Sequence, residues 1–237
     1  MYILVDYDNL PREMRLIGLQ AIADRIQSRL LSSFPGSFAG DLRFEMRFYG
    51  GWHTRTGPSQ RGAQLLADVQ NLFPLNLRVS ATGQRLTINA AVAEALLALP
   101  HQLLPHTYRT HSDAPANLLI RTPRELRCFQ RGCPADILSS LLTLGQCPIS
   151  SCSRDISEMM SRTEQKLVDT MLVTDTIHIG SIGEPKLAIV SSDDDMWPGI
   201  LTAMLAGTQV FHVQTIPRSQ PPLYLGSNRK NYRSLGI

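Results

Sequence analysis

Aspartates closely follow two apolar runs of this chain, and this arrangement constrains the fold more than any other feature. Asp6 and Asp8 follow the run at 2–5, and three consecutive aspartates at 193–195 follow the run at 187–190. Buried carboxylates are costly to desolvate, so a fold keeps several together only when something compensates them, typically a divalent cation. Ligand sites of open α/β sheets lie at the carboxyl ends of strands. The sequence therefore predicts one acidic, metal-binding pocket assembled from distant segments.

The alternation of apolar patterns predicts an α/β fold. Alternating or continuous apolar runs indicate strands at 2–6, 42–49 and 75–80, and helical spacing indicates helices at 14–31 and 58–73. This β-α-β-α-β order predicts a mostly parallel sheet with helices on its faces. The apolar stretch within 86–100 predicts a further helix that Pro100 ends.

The second half of the chain interrupts this order and then resumes it. Residues 101–154 are rich in Pro, His, Cys and Arg, which indicates an inserted module. From 155 we expect a helix through Met159, Leu167 and Met171, a strand at 186–190, a helix at 197–206 and a strand at 209–216. We expect the tail at 217–237 to wrap the surface or to fray.

Composition limits the class of protein. No run of the 237 residues approaches the roughly 18 apolar residues of a membrane span, and Asp6 and Asp8 interrupt the first apolar stretch, which argues against a signal peptide. We therefore expect a cytoplasmic protein that does not enter membranes. The net charge of +3 includes many arginines outside the acidic segments, and an acidic pocket in a basic surround suits a polyanion. An ordinary solvated face of arginines explains the charge equally well.

Four segments, in the order in which they occur, resemble the NYN domain, a branch of the PIN-like ribonucleases. Residues 3–10 read Ile-Leu-Val-Asp-Tyr-Asp-Asn-Leu, similar to an opening strand in which Asn follows Asp by three positions. Residues 48–52 are similar to the second strand, which often ends in Tyr-Gly. Residues 165–175 resemble the central Lys-Gly-Val-Asp helix, and 190–198 resemble the strand-end motif Ser-Gly-Asp-Ser-Asp-Phe-x-Pro. Leu167 and Ser192 stand where that family usually has glycine.

The resemblance implies a three-layer, PIN-like Rossmannoid domain made from 1–100 and 155–216. The metal ligands that it implies are Asp6, Asp169, Asp193 and Asp195. They would hold one or two Mg²⁺ or Mn²⁺ ions, which would activate water for attack on a phosphodiester. Asn9 would orient an aspartate or a metal-bound water, and Lys166 would meet the substrate phosphate. The implied activity is a ribonuclease, an endoribonuclease first, that acts on RNA rather than DNA.

Each acidic segment also has an ordinary structural explanation. Asp6 fits a helix cap, Asp169 fits a solvated surface residue paired with Lys166, and the run 193–195 fits the cap of the following helix. For Asp175 we expect a surface or helix C-terminal role. A serine at 191 or 192 fits a carboxylate-orienting hydrogen bond.

The four cysteines lie within 25 residues of one another. They are Cys128, Cys133, Cys147 and Cys152. Two Cys-x4-Cys pairs around a short linker predict a structural Zn²⁺ held by four thiolates, because disulfides are disfavoured in the cytosol. Free thiols are the alternative. The arginines around the first pair also fit nucleic-acid binding by this module.

Two other functions remain open at this stage. The chain fits a non-catalytic RNA-binding module with a vestigial acidic pocket. The pattern Asp6-x-Asp8 after a first strand also resembles the nucleophile motif of haloacid-dehalogenase-type phosphatases, which form a phospho-aspartate. Leu10 stands where that family usually has Thr or Val, and the phosphatase reading gives Asp169 and Asn9 no role. The sequence does not fix the oligomeric state.

Overall fold

The structure, a computed structural model, describes residues 1–33, 40–54, 56–78, 84–104, 108–111, 121–128, 130, 133–165, 167–216, 224 and 229–237. Two compact units make up the chain. The first combines Met1–Thr107 with Lys166–Ile237, and the second is Tyr108–Gln165. Among the described helices, none has the length and apolar character needed to cross a membrane.

The strands and helices of both units are numbered in chain order. The strands are β1 (Tyr2–Asp6), β2 (Leu42–Tyr49), β3 (His53–Thr54), β4 (Gly57–Pro58), β5 (Leu75–Arg78), β6 (Arg85–Val92), β7 (Ala95–Leu96), β8 (Leu99–Leu103), β9 (Tyr108–His111), β10 (Arg162–Gln165), β11 (Lys186–Val190), β12 (Gln209–Gln214) and β13 (Tyr232–Gly236). The helices are α1 (Arg12–Leu16), α2 (Leu19–Ser32), α3 (Gln60–Leu72), α4 (Pro134–Leu144), α5 (Ile156–Met159), α6 (Val168–Ser181) and α7 (Trp197–Leu205), with 3₁₀ turns at Asp194–Met196 and Arg229–Asn231.

A seven-stranded sheet forms the centre of the first unit, in the order β13-β12-β11-β1-β2-β6-β5. Every neighbouring pair is parallel except β5 with β6, which is antiparallel. The predicted mostly parallel α/β sheet is confirmed. From β1 the chain adds β2 and then β6 on one side, whereas β11, β12 and β13 extend the other side. The order therefore reverses between β1 and β11, which is where open sheets of this class place ligands, at the carboxyl ends.

Helices cover both faces of the sheet, and alternate residues of β1 belong to different cores. Ile3 and Val5 pack in a cluster with side chains of α2 and α3. Leu4 packs in a second cluster with side chains of α6 and α7. Because successive strand residues point to opposite faces, this alternation places β1 at the centre of the unit. Its carboxyl end, Asp6, is thereby held between two packed layers.

The predicted helix within 86–100 is wrong. This stretch forms β6 and the short strands β7 and β8 instead. Leu86 and Ile88 are buried at a spacing of two residues, and β6 pairs with β2 from Leu42 to Phe48. The apolar run from 90 to 99 has no clear period, so the sequence does not distinguish a helix from a strand there. Pairing with β2 makes its first residues part of a strand.

Three further segments differ from expectation. The helix expected to run through Met159 and Leu167 is divided: α5 ends at Met159, β10 follows, and α6 begins at Val168. The tail is not only a surface wrap, because β13 pairs in parallel with β12 and Tyr232 is buried. The helix predicted at 14–31 is two helices, α1 and α2, separated at Gly18, whose φ of +88° favours glycine.

The second unit contains α4, α5 and an antiparallel pair of strands. β9 pairs with β10, and an isolated bridge joins Gln146 to Asp155. The N–H of Cys147 donates to the carbonyl of Arg154 at 2.9 Å beside that bridge. This unit covers Tyr108–Gln165, whereas the sequence analysis placed an insertion at 101–154.

Candidate functional site

Asp6 occupies a buried position at the carboxyl end of β1. Its side chain is 3% exposed, and its two oxygens accept hydrogen bonds from the Asn9 N–H (3.2 Å) and from the Ser191 hydroxyl (3.0 Å). The pKa of Asp6 is raised to about 7, chiefly by burial; the hydrogen bonds from Ser191 and Asn9 act against this rise, and the charges of Asp169 and Asp8 add to it. A carboxylate with this environment favours either a proton or a cation near neutral pH.

Asp169 lies in the first turn of α6, not in the middle of a helix as expected. The α6 N-terminus carries a partial positive charge that favours an acidic residue. The pKa of Asp169 is nevertheless raised, by burial first and then by Asp193, Asp195 and Asp8. The Asp169 side chain is exposed to solvent. A bound cation would oppose the repulsion that these three carboxylates exert on it.

Asp193 and Asp195 follow β11 in a short turn beside Asp6. Val5 and Val190 are register partners in the parallel pair β1–β11, so both loops leave the same edge of the sheet. The Asp193 carboxylate accepts from the Asp195 N–H at 3.1 Å, and the Asp193 N–H donates to the Ser191 hydroxyl at 3.1 Å. Asp193 thus caps the 3₁₀ turn at Asp194–Met196 and not α7, whose N-cap Met196 makes no side-chain hydrogen bond, and the turn places two carboxylates near Asp169.

The carboxylates of Asp6, Asp8, Asp169, Asp193 and Asp195 are called the acidic cluster below. They come from three segments that are far apart in sequence, and the mutual effects on the pKa of Asp6 and of Asp169 mean that they lie close enough to repel one another. The sequence analysis predicted this grouping, and the fold brings its members to one edge of the sheet.

Asn9 and Ser192 connect the loops on either side of the acidic cluster. The Asn9 side-chain oxygen accepts from the Ser192 N–H at 3.1 Å, and the Asn9 carbonyl accepts from the Thr215 hydroxyl at 3.2 Å. The Ser192 hydroxyl accepts from the N–H groups of Thr215 (2.9 Å) and Ile216 (2.8 Å). It is therefore the backbone of Asn9 that contacts Asp6, whereas its side chain joins the ends of β1, β11 and β12.

A buried histidine supports the serine that contacts Asp6. His212 of β12 has its Nε2 2.9 Å from the Ser191 carbonyl and its Nδ1 2.9 Å from the Tyr232 hydroxyl. A carbonyl oxygen only accepts, so Nε2 carries the proton that joins His212 to Ser191. The edge strand β13, which sequence reasoning missed, thus helps to fix Ser191.

Asp8 faces an arginine that sequence reasoning did not single out. Its carboxylate accepts from the Gly51 N–H at 2.8 Å and forms an ion pair with Arg61 of α3 at 2.5 Å. The signal available in the sequence was only the position of Arg61 in the first turn of a predicted helix. This contact joins the acidic cluster to α3.

Asp175 does not belong to the site. It is fully buried within α6, where its carboxylate accepts from the Tyr49 hydroxyl (2.6 Å) and the Leu97 N–H (2.8 Å), and Arg47 lies 3.6 Å away. The expected surface or helix C-terminal role is therefore wrong. The spacing of Asp175 in the helix gave no information about partners that lie on β2 and near β7.

Lys166 lies outside the described residues. Helix α6 begins at Val168 with Leu167 as its N-cap. Leu167 has a φ of +75°, in the left-handed region that favours glycine. Its place at the usual glycine of the resembled motif is consistent with this backbone conformation.

The chemistry of the acidic cluster fits a divalent cation. Its donors are carboxylate oxygens, the ligands that Mg²⁺ and Mn²⁺ prefer, and a cation would relieve the repulsion that raises the pKa of Asp169. Within the part of the chain that the structure describes, no three His, Cys, Asp or Glu side chains already stand in a metal-binding group. The side chains of the acidic cluster, as they are placed, therefore do not form such a group.

The four cysteines are all free and half-buried. Sγ of Cys128 lies 4.0 Å from Sγ of Cys133, too far for a disulfide, and Cys133 precedes α4 as its N-cap. Because no three of the described thiols form one group, the thiols as placed do not make a four-thiolate zinc site. The Zn²⁺ site stays a prediction that the Cys128–Cys133 pair supports.

No family model matches this sequence, and neither a curated protein nor a solved structure matches it.

Proposed function

We propose that this protein is a divalent-metal-dependent ribonuclease whose active site is the acidic cluster. The observation that carries the proposal is the convergence of carboxylates from three distant segments at the point where the strand order reverses. A protein that only needed a stable fold would gain nothing from this repulsion. The resemblance of four segments to the NYN domain supports both the PIN-like architecture and RNA as the substrate.

The residues of the chain have distinct tasks in this proposal. Asp6, Asp169, Asp193 and Asp195 would hold one or two Mg²⁺ or Mn²⁺ ions. Bound there, such an ion lowers the pKa of a coordinated water and stabilises negative charge on a phosphodiester. Ser191 keeps the Asp6 carboxylate oriented, and it is in turn held by His212.

Basic side chains near the acidic cluster suit a polyanionic substrate. Burial raises the pKa of Tyr7, and the charges of Arg61 and Arg15 act against that rise, so both guanidinium groups lie near the residue between Asp6 and Asp8. Such groups position a phosphate backbone without reading its sequence. Specificity for particular RNAs would then come from contacts with bases and, in our proposal, from the arginines of the cysteine-containing unit.

The environment of Asp6 weakens the phosphatase alternative. A phospho-aspartate nucleophile must be reached by the phosphorus atom of a substrate, yet Asp6 is 3% exposed and both of its oxygens accept hydrogen bonds. No observation in the described residues favours that reaction over phosphodiester hydrolysis.

The test is cleavage of labelled single-stranded and structured RNAs in Mn²⁺, in Mg²⁺ and in EDTA. We expect metal-dependent cleavage that is lost in Asp193→Asn/Asp195→Asn while RNA affinity is retained. The amide of asparagine keeps an acceptor for the turn at Asp193, and Asp194→Asn, in the same run, is the matched control that should still cleave. RNA binding without cleavage by the wild type in any metal would instead establish the non-catalytic RNA-binding module.

A further inference from the structure

A cavity of about 300 Å³ lies beside the acidic cluster. It is lined by Tyr7, Gln60, Arg61, Gln64, Leu65 and Asp68. Helix α3 supplies five of these side chains, and the loop after β1 supplies the sixth. The volume is at the lower end of the range of about 300–1,000 Å³ for small-molecule sites, so the cavity has room for one small planar group.

The wall of the cavity formed by Tyr7 is backed by other aromatic side chains. The Tyr7 ring lies 5.6 Å from the Trp52 ring and 6.2 Å from the Phe48 ring, the latter edge-to-face. Trp52 and Phe48 are almost completely buried. Their packing fixes the Tyr7 ring in one orientation, which makes it a prepared surface for stacking.

Arg61 connects this cavity to the acidic cluster. Its guanidinium group lies 5.7 Å from the centre of the Trp52 ring and also pairs with Asp8. Tyr7 stands between Asp6 and Asp8 in the chain, with its Cα about 3.8 Å from those of its neighbours. The cavity therefore adjoins the Asp8 carboxylate of the acidic cluster through Arg61.

The polar groups of the cavity accept hydrogen bonds as well as donate them. Gln64 donates its side-chain N–H to the Asp68 carboxylate at 2.8 Å, which orients the amide. A carboxylate only accepts, and the amide oxygens of Gln60 and Gln64 accept too. Adenine, guanine and cytosine carry an exocyclic amine that can donate to such acceptors, whereas uracil has no amine and offers only its ring N–H.

We propose that this cavity binds one unpaired nucleobase of the RNA substrate, stacked on Tyr7, with a preference for amine-bearing bases over uracil. The inference rests on the proposed function, because it assigns a base-binding subsite to the same active site. In this proposal the base stacks on Tyr7 beside Arg61, and Gln64 and Asp68 accept hydrogen bonds from its exocyclic amine.

The experiment measures binding of fluorescein-labelled oligo(A) and oligo(U) ten-mers by fluorescence anisotropy in EDTA, where no cleavage is required. We expect tighter binding of oligo(A), and Tyr7→Ala should weaken it at least about tenfold because base stacking is lost. Tyr7→Phe keeps the ring and should bind as the wild type does. Gln64→Ala/Asp68→Ala should reduce the ratio of oligo(A) to oligo(U) affinity towards one. Gln70→Ala, at an exposed position of the same helix, is the matched control.

The outcomes separate the two proposals. Tyr7-dependent, adenine-preferring binding without cleavage in any metal supports the cavity and overturns the nuclease. Metal-dependent cleavage with oligo(A) and oligo(U) affinities unchanged in Tyr7→Ala and in Gln64→Ala/Asp68→Ala overturns the cavity and leaves the nuclease standing. If Tyr7→Ala fails to fold by circular dichroism, the Gln64→Ala/Asp68→Ala ratio decides alone, because both side chains lie on the surface of α3.

Discussion

Replacement of Asp6 by asparagine is expected to stabilise the protein at pH 8 in EDTA and to leave its stability unchanged near pH 4. The substitution removes a buried charge and retains the size of the side chain. Its oxygen still accepts from the Asn9 N–H, and its amide still reaches Ser191. The change therefore isolates the ionisation of one carboxyl group.

The magnitude follows from the raised pKa of Asp6. In the unfolded chain the group titrates near its ordinary value of 3.8, whereas in the folded protein its pKa is about 7. Between these values the folded state holds a proton that the unfolded state has lost, so the free energy of unfolding falls as the pH rises from about 4 to about 7. At about 1.4 kcal/mol per pH unit, the full penalty above pH 7 is ~4 kcal/mol, which asparagine does not suffer.

The assay is urea denaturation of wild type and Asp6→Asn at pH 4.5, 6 and 8 in EDTA, with Asp24→Asn on α2 as the matched control. The variant should gain stability progressively with pH, and the control should follow the wild type. With Mn²⁺ at about 100 times its dissociation constant, the wild type should gain about 2.7 kcal/mol at pH 8, and Asp6→Asn should gain much less. An Asp6→Asn protein that is equally or less stable than the wild type at every pH would refute the reasoning.

Other positions make three further predictions. Leu167→Gly should stabilise the protein by about 1 kcal/mol in urea denaturation, because it removes a left-handed leucine that is 45% exposed, whereas Leu167→Ala should not. Tyr49→Phe should destabilise it by about 1–3 kcal/mol by removing a donor from buried Asp175, and an unchanged denaturation midpoint would contradict the importance of that contact. Native mass spectrometry should find one Zn²⁺ per chain that is lost in Cys128→Ser/Cys133→Ser, and metal-free wild type would end the zinc prediction.

The sequence predicted which segments meet at the carboxyl ends of the strands better than it predicted the elements around them. The apolar runs before Asp6 and Asp193 are short, continuous and bounded by polar residues, so they identify strands, and the carboxyl ends of parallel strands meet at one edge. That reasoning needs no long-range contact to be known. The apolar runs alone predict that segments nearly two hundred residues apart in the chain meet at one edge of the sheet.

Long-range pairing decided the parts that the sequence did not predict. β6 forms by pairing with β2, and β13 forms by pairing with β12. The residues of these two strands alone therefore do not identify them. The burial of Asp175 depends on Arg47 and Tyr49, which come more than a hundred residues earlier. The start of α6 at Val168 depends on a leucine that adopts a left-handed conformation without the usual glycine signal.

The central claim is that the acidic cluster binds divalent cations, and Mn²⁺ titration followed by electron paramagnetic resonance tests it most directly. At pH 7.5 the signal of free Mn²⁺ should fall with added wild-type protein until a site saturates. Asp169→Asn should weaken that binding strongly, since it removes one of the carboxylates whose mutual repulsion the bound ion relieves. Asp24→Asn should not weaken it. Saturable binding that is the same in Asp169→Asn and in the wild type, or no saturable binding by the wild type, would contradict the account.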